Sequence, residues 1–219
     1  MTHPTIASIQ VGQPREMTDA CWPDLRTGSW VSAIIKEPVS GPVWLATTNL
    51  EGDRQGNPQV HGGPDKAALA YGVGHYPLWR AELGRELPHG AFGENLTIDG
   101  LDEESVCIGD TFEAGEAIVQ VSQPRQPCWK IARRWGIKEL TALVADNGRT
   151  GWYLRVLREG HLEAGQPVRL AERPHPEWPV MRATRVIQNR RREMALANEL
   201  AQLRELADSW KTQLLTPAG

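Results

Sequence analysis

The segment VQVSQPRQPCWK, residues 119–130, joins the pattern of a β-strand to an abrupt stop and a single cysteine. Val119 and Val121 alternate with polar residues, which is the period-two pattern of a half-buried strand. The two prolines that follow cannot donate to a sheet ladder, and each biases the residue before it toward extended geometry. The strand therefore ends here, and a short, stiff loop presents Cys128 beyond it.

Cationic residues flank this cysteine in the sequence. Arg125 precedes it, and Lys130 and Arg133 follow it. Cations close to a thiol favour the thiolate, which is the form that attacks as a nucleophile or binds a metal. Arg125 also carries the planar guanidinium that suits bidentate binding of a phosphate. A buried structural cysteine at a strand end is the competing interpretation of this segment.

Length and composition describe an ordinary globular protein. The chain has 219 residues, 40% of them hydrophobic, and a net charge of −3, which gives no global basic field for a nucleic-acid polymer. Cys21, Cys107 and Cys128 form no CxxC pair, which argues against a disulfide framework, a zinc ribbon and a cysteine-ligated iron–sulfur cluster. The N-terminus carries no signal-peptide pattern, and no apolar run is long enough to span a membrane. We therefore expect a cytoplasmic protein without a membrane partner.

The many turn-forming residues favour a β-rich body with short elements. The chain contains 21 Gly and 16 Pro, and breaks this frequent are typical of sheets joined by many turns. A long polar loop is predicted over residues 50–63. Strands are predicted at 5–11, 30–36, 43–47, 96–98, 106–112, 117–122, 152–157 and 167–171.

Helical patterns are fewer, and one of them forms the end of the chain. Residues 173–179 contain three prolines, which indicates a stiff linker. Beyond it, apolar residues recur at steps of three and four, which predicts one helix over 188–214. We interpret the chain as mainly β (α+β), with a domain over residues 1–173 followed by a linker and helical segment over 174–219. Other helices are predicted from Asp65 through Ala70, from His75 onward, and over 138–146 with Gly148 as the cap.

Two further glycine-bearing motifs lie in predicted loops. His61-Gly62-Gly63, with Lys66 close behind it, precedes a predicted helix, where glycines let backbone N–H groups approach an anion without interference from a Cβ. Taken alone, this motif also fits a tight turn with a surface histidine. The second motif, Phe92-Gly93-Glu94-Asn95, offers an amide and a carboxylate that could read a heterocycle, and it equally fits a simple β-turn.

The three motifs occur in an order that resembles a known family. HGG at 61–63, FGEN at 92–95 and RQPCWK at 125–130 are similar to the motifs of the MOSC domain, named for the C-terminal domain of molybdenum cofactor sulfurase. The resemblance extends over roughly residues 5–172. The segment LRELADSWKTQL at 203–214 is similar to the helical tail of the YiiM-like branch of that family.

This resemblance implies a β-barrel-like fold that holds the molybdenum cofactor, a molybdopterin. It implies that Cys128 is the catalytic residue and ligates molybdenum, a metal that with its dithiolene sulfurs accepts a soft thiolate readily. Asp53 and His61 are candidates for relaying protons to the substrate. The cofactor-binding residues that the motifs imply are His61, Gly62, Gly63, Lys66, Gly93, Glu94, Asn95, Arg125 and Lys130.

The family resemblance also implies a reaction and its partners. Reductase branches act on N-hydroxylated small molecules, such as hydroxylamines, amidoximes and N-hydroxylated nucleobases. Because the sequence has no flavin, haem or nicotinamide motif, electrons would come from a separate flavin- or iron–sulfur-containing protein. We expect a monomer or a homodimer. Two alternatives stay open: a non-catalytic carrier of the molybdenum cofactor or of sulfur, and a metal-free enzyme that uses Cys128 as a nucleophile.

Overall fold

The structure, a computed structural model, describes residues 3–17 and 29–216. Its strands are β1 Thr5–Val11, β2 Arg15–Met17, β3 Trp30–Ser32, β4 Glu37–Pro38, β5 Val43–Leu45, β6 Ala68–Gly72, β7 Leu96–Asp99, β8 Thr111–Ala114, β9 Ala117–Pro124, β10 Trp152–Arg158, β11 Gly160–Leu162 and β12 Val168–Glu172. Its helices are α1 Pro58–His61, α2 His75–Leu83, α3 Lys130–Trp135, α4 Leu140–Asn147, α5 Val180–Gln188, α6 Met194–Ala201 and α7 Asp208–Leu215, and Pro64–Lys66 form a 3-10 turn.

Eight of these strands form one sheet that curls into a barrel-like body. Their order is β12-β8-β9-β10-β6-β7-β1-β4, and each pair is antiparallel except the parallel pair β6 and β7. The sheet closes because the start of β1 bonds to the segment that leads into β12. Val168 N donates to Pro4 O at 2.8 Å, and Ile6 N donates to Gln166 O at 2.9 Å. The mainly β, α+β fold class predicted from the sequence is thereby confirmed.

Strand β9 shows how the sequence pattern builds the core. Ala117, Val119 and Val121 are each at most 2% exposed, and they face the interior together with Trp152 and Leu154 of the neighbouring strand. Complete burial of a valine or leucine side chain contributes about 1.5–3 kcal/mol to stability. The last residues of β9 are buried on both faces, so the strand carries its direction rigidly up to the cysteine loop.

The C-terminal segment consists of three short helices, so the single helix predicted over 188–214 is wrong. Helix α6 ends at Ala201, and residues 202–207 form a non-helical connection to α7. Ala207, at the end of this connection, has an extended backbone and donates its N–H to Ser122 O of β9 at 2.9 Å, which ties the connection to the sheet. Trp178 and Trp210 are buried in the same hydrophobic cluster as the sheet. The domain boundary at residues 173 and 174 stays a prediction.

The helix predicted from Asp65 through Ala70 is also wrong. After the 3-10 turn the chain enters β6, which is buried along its whole length between β10 and β7. A strand that is covered on both faces shows no polar alternation, so its alanines read as helical in the sequence alone. Burial in the middle of the sheet overrides that local preference.

Two predicted strands are shorter than their patterns suggest. The strand expected over 30–36 ends at Ser32, and residues 33–36 form an irregular segment beside a cleft. In the stretch 106–112 the strand begins only at Thr111, and Cys107 makes an isolated bridge to Pro179. The predicted loop over 50–63 contains the one-turn helix α1.

Other sequence predictions are confirmed. Strand β1 has the predicted bounds, α2 begins at His75, and Gly148 caps α4 with a left-handed backbone. Within residues 3–17 and 29–216, no helix combines the length and apolar character that crossing a bilayer requires.

Candidate functional site

One cleft brings the three sequence motifs together. Its lining surrounds about 660 Å³ of space, a figure that includes open solvent. Seven of the ten predicted site residues line it: His61, Lys66, Gly93, Asn95, Arg125, Cys128 and Lys130. The remaining lining residues that carry the argument below are Ile34, Lys36, Asp53, Arg54, Phe92 and Tyr153.

The cysteine loop is held by hydrogen bonds from the end of β9. Arg125 N donates to Gly151 O at 3.0 Å, so strand-like pairing continues past Pro124. Ser122 donates its hydroxyl to Asp65 O at 2.6 Å, which ties the strand to the turn that carries Lys66. Cys128 is half-buried at the cleft wall, with a free thiol. The loop therefore presents the sulfur to the cleft as the sequence predicts.

Arg125 is a buried cation without an acidic partner in the described part of the chain. Its side chain is aimed at backbone carbonyls, with Nη2 donating to Phe92 O at 2.9 Å and Nη1 to Thr150 O at 3.4 Å. The residue is only 5% exposed. Burial of a charge is costly unless the charge is compensated. A ligand anion in the cleft would supply the missing compensation.

Positive charge dominates the cleft. Among the residues that the structure describes, five cationic side chains and one carboxylate, that of Asp53, line the cleft. The five cations are Lys36, Arg54, Lys66, Arg125 and Lys130. Desolvation, and after it the charges of Lys130, Lys66 and Arg125, lower the pKa of His61 to about 4. His61 is therefore a neutral imidazole at pH 7. It can donate or accept one hydrogen bond, but it cannot supply a proton as an imidazolium.

The depressed pKa of His61 predicts a loss of stability in mild acid. Between about pH 4 and 6.5, the ordinary pKa of a histidine, the unfolded chain binds a proton at His61 that the folded chain does not. Stability should therefore fall as the pH drops through that window, and His61→Gln should reduce the fall. Urea unfolding at pH 7 and pH 5 measures the difference, and an NMR titration of the ring should give a midpoint near 4. A midpoint near 6.5 would contradict the depressed pKa of His61.

The glycines of the HGG motif do not reach the cleft lining. Gly62 packs on Pro58, where an added Cβ would lie 2.7 Å from the carbonyl oxygen, and Gly63 opens to solvent. His61 and Lys66, on either side of these glycines, do line the cleft. Lys66 Nζ donates to Val60 O at 2.7 Å, and burial lowers the pKa of this lysine. The glycines thus shape the turn that positions the histidine and the lysine.

Glu94 of the FGEN motif lies behind the cleft wall and does not line it. Its carboxylate is fully buried and accepts from Gly90 N at 2.6 Å, Phe92 N at 3.0 Å, and the hydroxyl of Tyr76. These contacts fold residues 90–94 into a turn, and they leave the carboxylate occupied by the protein itself. The structure therefore places Glu94 as a scaffold residue, in contrast to the predicted contact with the cofactor.

Gly93 and Asn95 of the same motif do line the cleft. Gly93 has a left-handed backbone with a φ of 83°, and an added Cβ would lie 3.1 Å from Ile34. Asn95 joins two strands, because its Oδ1 accepts from Leu69 N at 3.1 Å and its Nδ2 donates to Gln10 O at 3.2 Å. The Oδ1 and Nδ2 atoms of Asn95 can each form one further hydrogen bond.

Sequence reasoning missed Lys36, Arg134 and Tyr153. Arg134 supports the site from behind, since its Nη1 donates to Ile34 O and Gly90 O at 2.6 Å each. Lys36 closes the apolar run 33–35, and a lysine in that position is the one signal that could have drawn attention to it. Tyr153 alternates regularly within β10 and gives no such signal. Burial raises its pKa.

The other cysteines are separate from the cleft or outside the described residues. Cys107 is 2% exposed, and burial raises the pKa of its thiol, so this cysteine belongs to the core. Cys21 lies outside the described ranges 3–17 and 29–216.

Comparison with known proteins places this cleft in a family. A family model described as "MOSC domain" matches residues 57–169, a range that contains all three motifs. The chain belongs to the MOSC domain family. MOSC domains are associated with the molybdenum cofactor, and the cleft of this MOSC protein is where its motifs converge.

Individual relatives extend the comparison over nearly the whole chain. This MOSC protein is 39% identical to "Uncharacterized protein YflK" of Bacillus subtilis, over 96% of this chain and 93% of that protein. It is 38% identical to a protein named "Reductase" from Gibberella moniliformis over 80% of this chain, which spans only 32% of that longer protein. The crystal structure of YiiM from Geobacillus stearothermophilus matches with a TM-score of 0.80 and 35% identity, covering 96% of this chain and 97% of that one.

Proposed function

We propose that this MOSC protein is a molybdenum-cofactor-dependent reductase of N-hydroxylated compounds, with Cys128 as the protein ligand to molybdenum. The observation that carries the proposal is the convergence of a half-buried free thiol with five cationic side chains in one cleft of the described chain. Its substrates would be hydroxylamines, amidoximes or N-hydroxylated nucleobases. A relative named "Reductase" agrees with this reaction class.

The residues of the cleft fit the cofactor by their chemistry. Cys128 offers the soft sulfur that molybdenum accepts. Arg125 is buried without a carboxylate partner in the described chain, and it lies in the same cleft as Lys66 and Lys130, so together these residues can hold a phosphate.

The bound cofactor would supply the two-electron chemistry of N–O cleavage, and the protein would supply position and protons. Conversion of an N–OH group to N–H and water consumes two electrons and two protons. Cys128 would fix the metal, while Arg125, Lys66 and Lys130 would orient the anionic side of the cofactor. His61 is neutral at pH 7 and can hold a hydrogen bond to substrate or water without adding charge.

The electrons would come from a separate redox protein that carries a flavin or an iron–sulfur centre. Two free cysteines, Cys107 and Cys128, are compatible with the reducing cytoplasm, where we place the protein. The oligomeric state is proposed as monomer or homodimer.

A turnover assay tests the reductase function. Protein loaded with molybdenum cofactor is supplied with an artificial low-potential electron donor and a panel of hydroxylamines, amidoximes and N-hydroxylated bases. We expect stoichiometric formation of the reduced nitrogen compound and oxidation of two donor electrons per product. Bound molybdenum without turnover on any member of the panel would contradict the proposal and favour the alternative, a carrier of the cofactor.

A further inference from the structure

The cleft contains a buried ion pair that the proposed cofactor contacts do not use. Asp53 is 3% exposed, and its Oδ1 pairs with Lys36 Nζ and accepts from Gly12 N at 2.7 Å. Its second oxygen, Oδ2, is buried and has no hydrogen-bond partner among the described residues. Both side chains line the cleft. An unpaired carboxylate oxygen in such a position is costly unless a ligand completes it.

Lys36 is held rigidly beside this carboxylate. An added Cβ at Gly12 would lie 3.2 Å from Lys36 Cδ, and one at Gly90 would lie 3.1 Å from Lys36 Cβ, so the stem runs between two glycine backbones. The ammonium has three N–H donors, and its hydrogen bond within the described chain goes to Asp53. The pair thus presents one acceptor oxygen beside free donors, at a fixed separation.

The ion pair differs in net charge from the cations around Cys128. Lys36 and Asp53 neutralise each other, whereas Lys66, Arg125 and Lys130 have no acidic partner in the part of the lining that the structure describes. One part of the cleft is therefore suited to an anion. The other is suited to an uncharged group that offers a hydrogen-bond donor next to an acceptor.

We propose that Asp53 and Lys36 bind the N–OH group of the substrate. Asp53 Oδ2 accepts the hydroxyl proton in a hydrogen bond, and Lys36 Nζ donates to the neighbouring nitrogen lone pair. The inference rests on the proposed reductase function and narrows its substrates to uncharged compounds with a free N–O–H, such as amidoximes and oximes. An N-oxide or an O-alkylated oxime has no proton for Asp53 and should bind weakly.

A binding experiment without turnover tests this assignment. Benzamidoxime and its O-methyl ether are titrated by calorimetry into the cofactor-loaded, oxidised protein without an electron donor. Because a hydrogen bond to a charged group is involved, we expect the wild type to bind benzamidoxime about tenfold or more tightly than the ether. Asp53→Asn should bring that ratio close to one while the molybdenum content stays unchanged.

A matched control and a second variant keep the test independent of folding. Asp110→Asn removes the charge of another fully buried carboxylate, paired with Arg173 and outside the cleft lining, and should keep the wild-type ratio. If Asp53→Asn does not fold, the double variant Lys36→Met with Asp53→Asn leaves no uncompensated buried charge and should also lose the ratio.

Three results would overturn the inference: equal wild-type affinity for the two ligands, an unchanged ratio in the Asp53 variants, or loss of molybdenum from them. The last result would assign the pair to the cofactor. Since none of these measurements requires turnover, they separate this inference from the reductase function, which fails only if the loaded wild type reduces nothing.

Discussion

Cys128→Ala should lose its molybdenum and its N–O reductase activity together. Mutating residues that only support a metal ligand commonly costs 10–100-fold in affinity or activity, so removal of the ligand itself should lower activity at least about a hundredfold. Cys128 is half-buried in a loop, and loss of its thiol should hardly change the stability of the fold. Metal analysis by mass spectrometry and the turnover assay measure the two effects on the same preparation.

Cys107→Ala is the matched control for this experiment. Its thiol is buried outside the cleft lining, with Sγ 3.7 Å from Pro176 O. The control should retain molybdenum and activity, with a modest loss of stability from the small cavity. Equal molybdenum in the wild type and in Cys128→Ala would contradict metal ligation by Cys128, whatever the activity of either protein.

Glu94→Ala should unfold far more easily than the wild type. The substitution leaves Gly90 N, Phe92 N and the Tyr76 hydroxyl, all buried, without their acceptor. Unsatisfied buried donors of this kind cost about 1–3 kcal/mol each, so a loss of about 3 kcal/mol or more is expected. The midpoint of urea unfolding measures it.

An exposed glutamate provides the control for Glu94. The side chain of Glu86 is 74% exposed and pairs with Arg80 on the surface, so Glu86→Ala should change stability by no more than about 0.5 kcal/mol. A Glu94→Ala protein with wild-type stability but without bound cofactor would show that the carboxylate serves a ligand. That result would restore the role predicted from the sequence.

These predictions separate residues that contact a ligand from residues that shape the cleft. The HGG and FGEN motifs each contain both kinds: His61, Gly93 and Asn95 line the cleft, while Gly62 and Glu94 support turns. A motif match carries no information about that division, because it records which residues recur together and not which way their side chains face.

The cationic cleft also has a consequence for ligand binding. Five cationic side chains and one carboxylate of the described residues line it, while the whole chain has a net charge of −3. Binding of an anion here would therefore depend on this local arrangement, since the overall charge opposes it. An anionic ligand beside Lys66, Lys130 and Arg125 would offset the charges that depress the pKa of His61.

The sequence by itself determined the β-rich class and the cysteine loop. Alternation in 117–121 is a local signal that predicts β9, although the strand runs two residues past its predicted end, through Pro124, before the loop that carries Cys128. Strand β1, the start of α2 and the Gly148 cap are local in the same sense. The motifs were sufficient to predict seven residues that line the cleft.

Only the tertiary structure decided the elements whose partners are distant in the chain. The alanines of β6 form a strand because β10 and β7 cover them. The predicted C-terminal helix is divided by a non-helical connection over residues 202–207, which bonds to β9 through Ala207 N. Lys36 and Asp53 are 17 residues apart in the sequence and meet only in the folded chain. The same packing leaves Asp53 Oδ2 without a hydrogen-bond partner among the described residues. Local patterns report the chain's own preferences, whereas burial and hydrogen-bond pairing across the fold set these features.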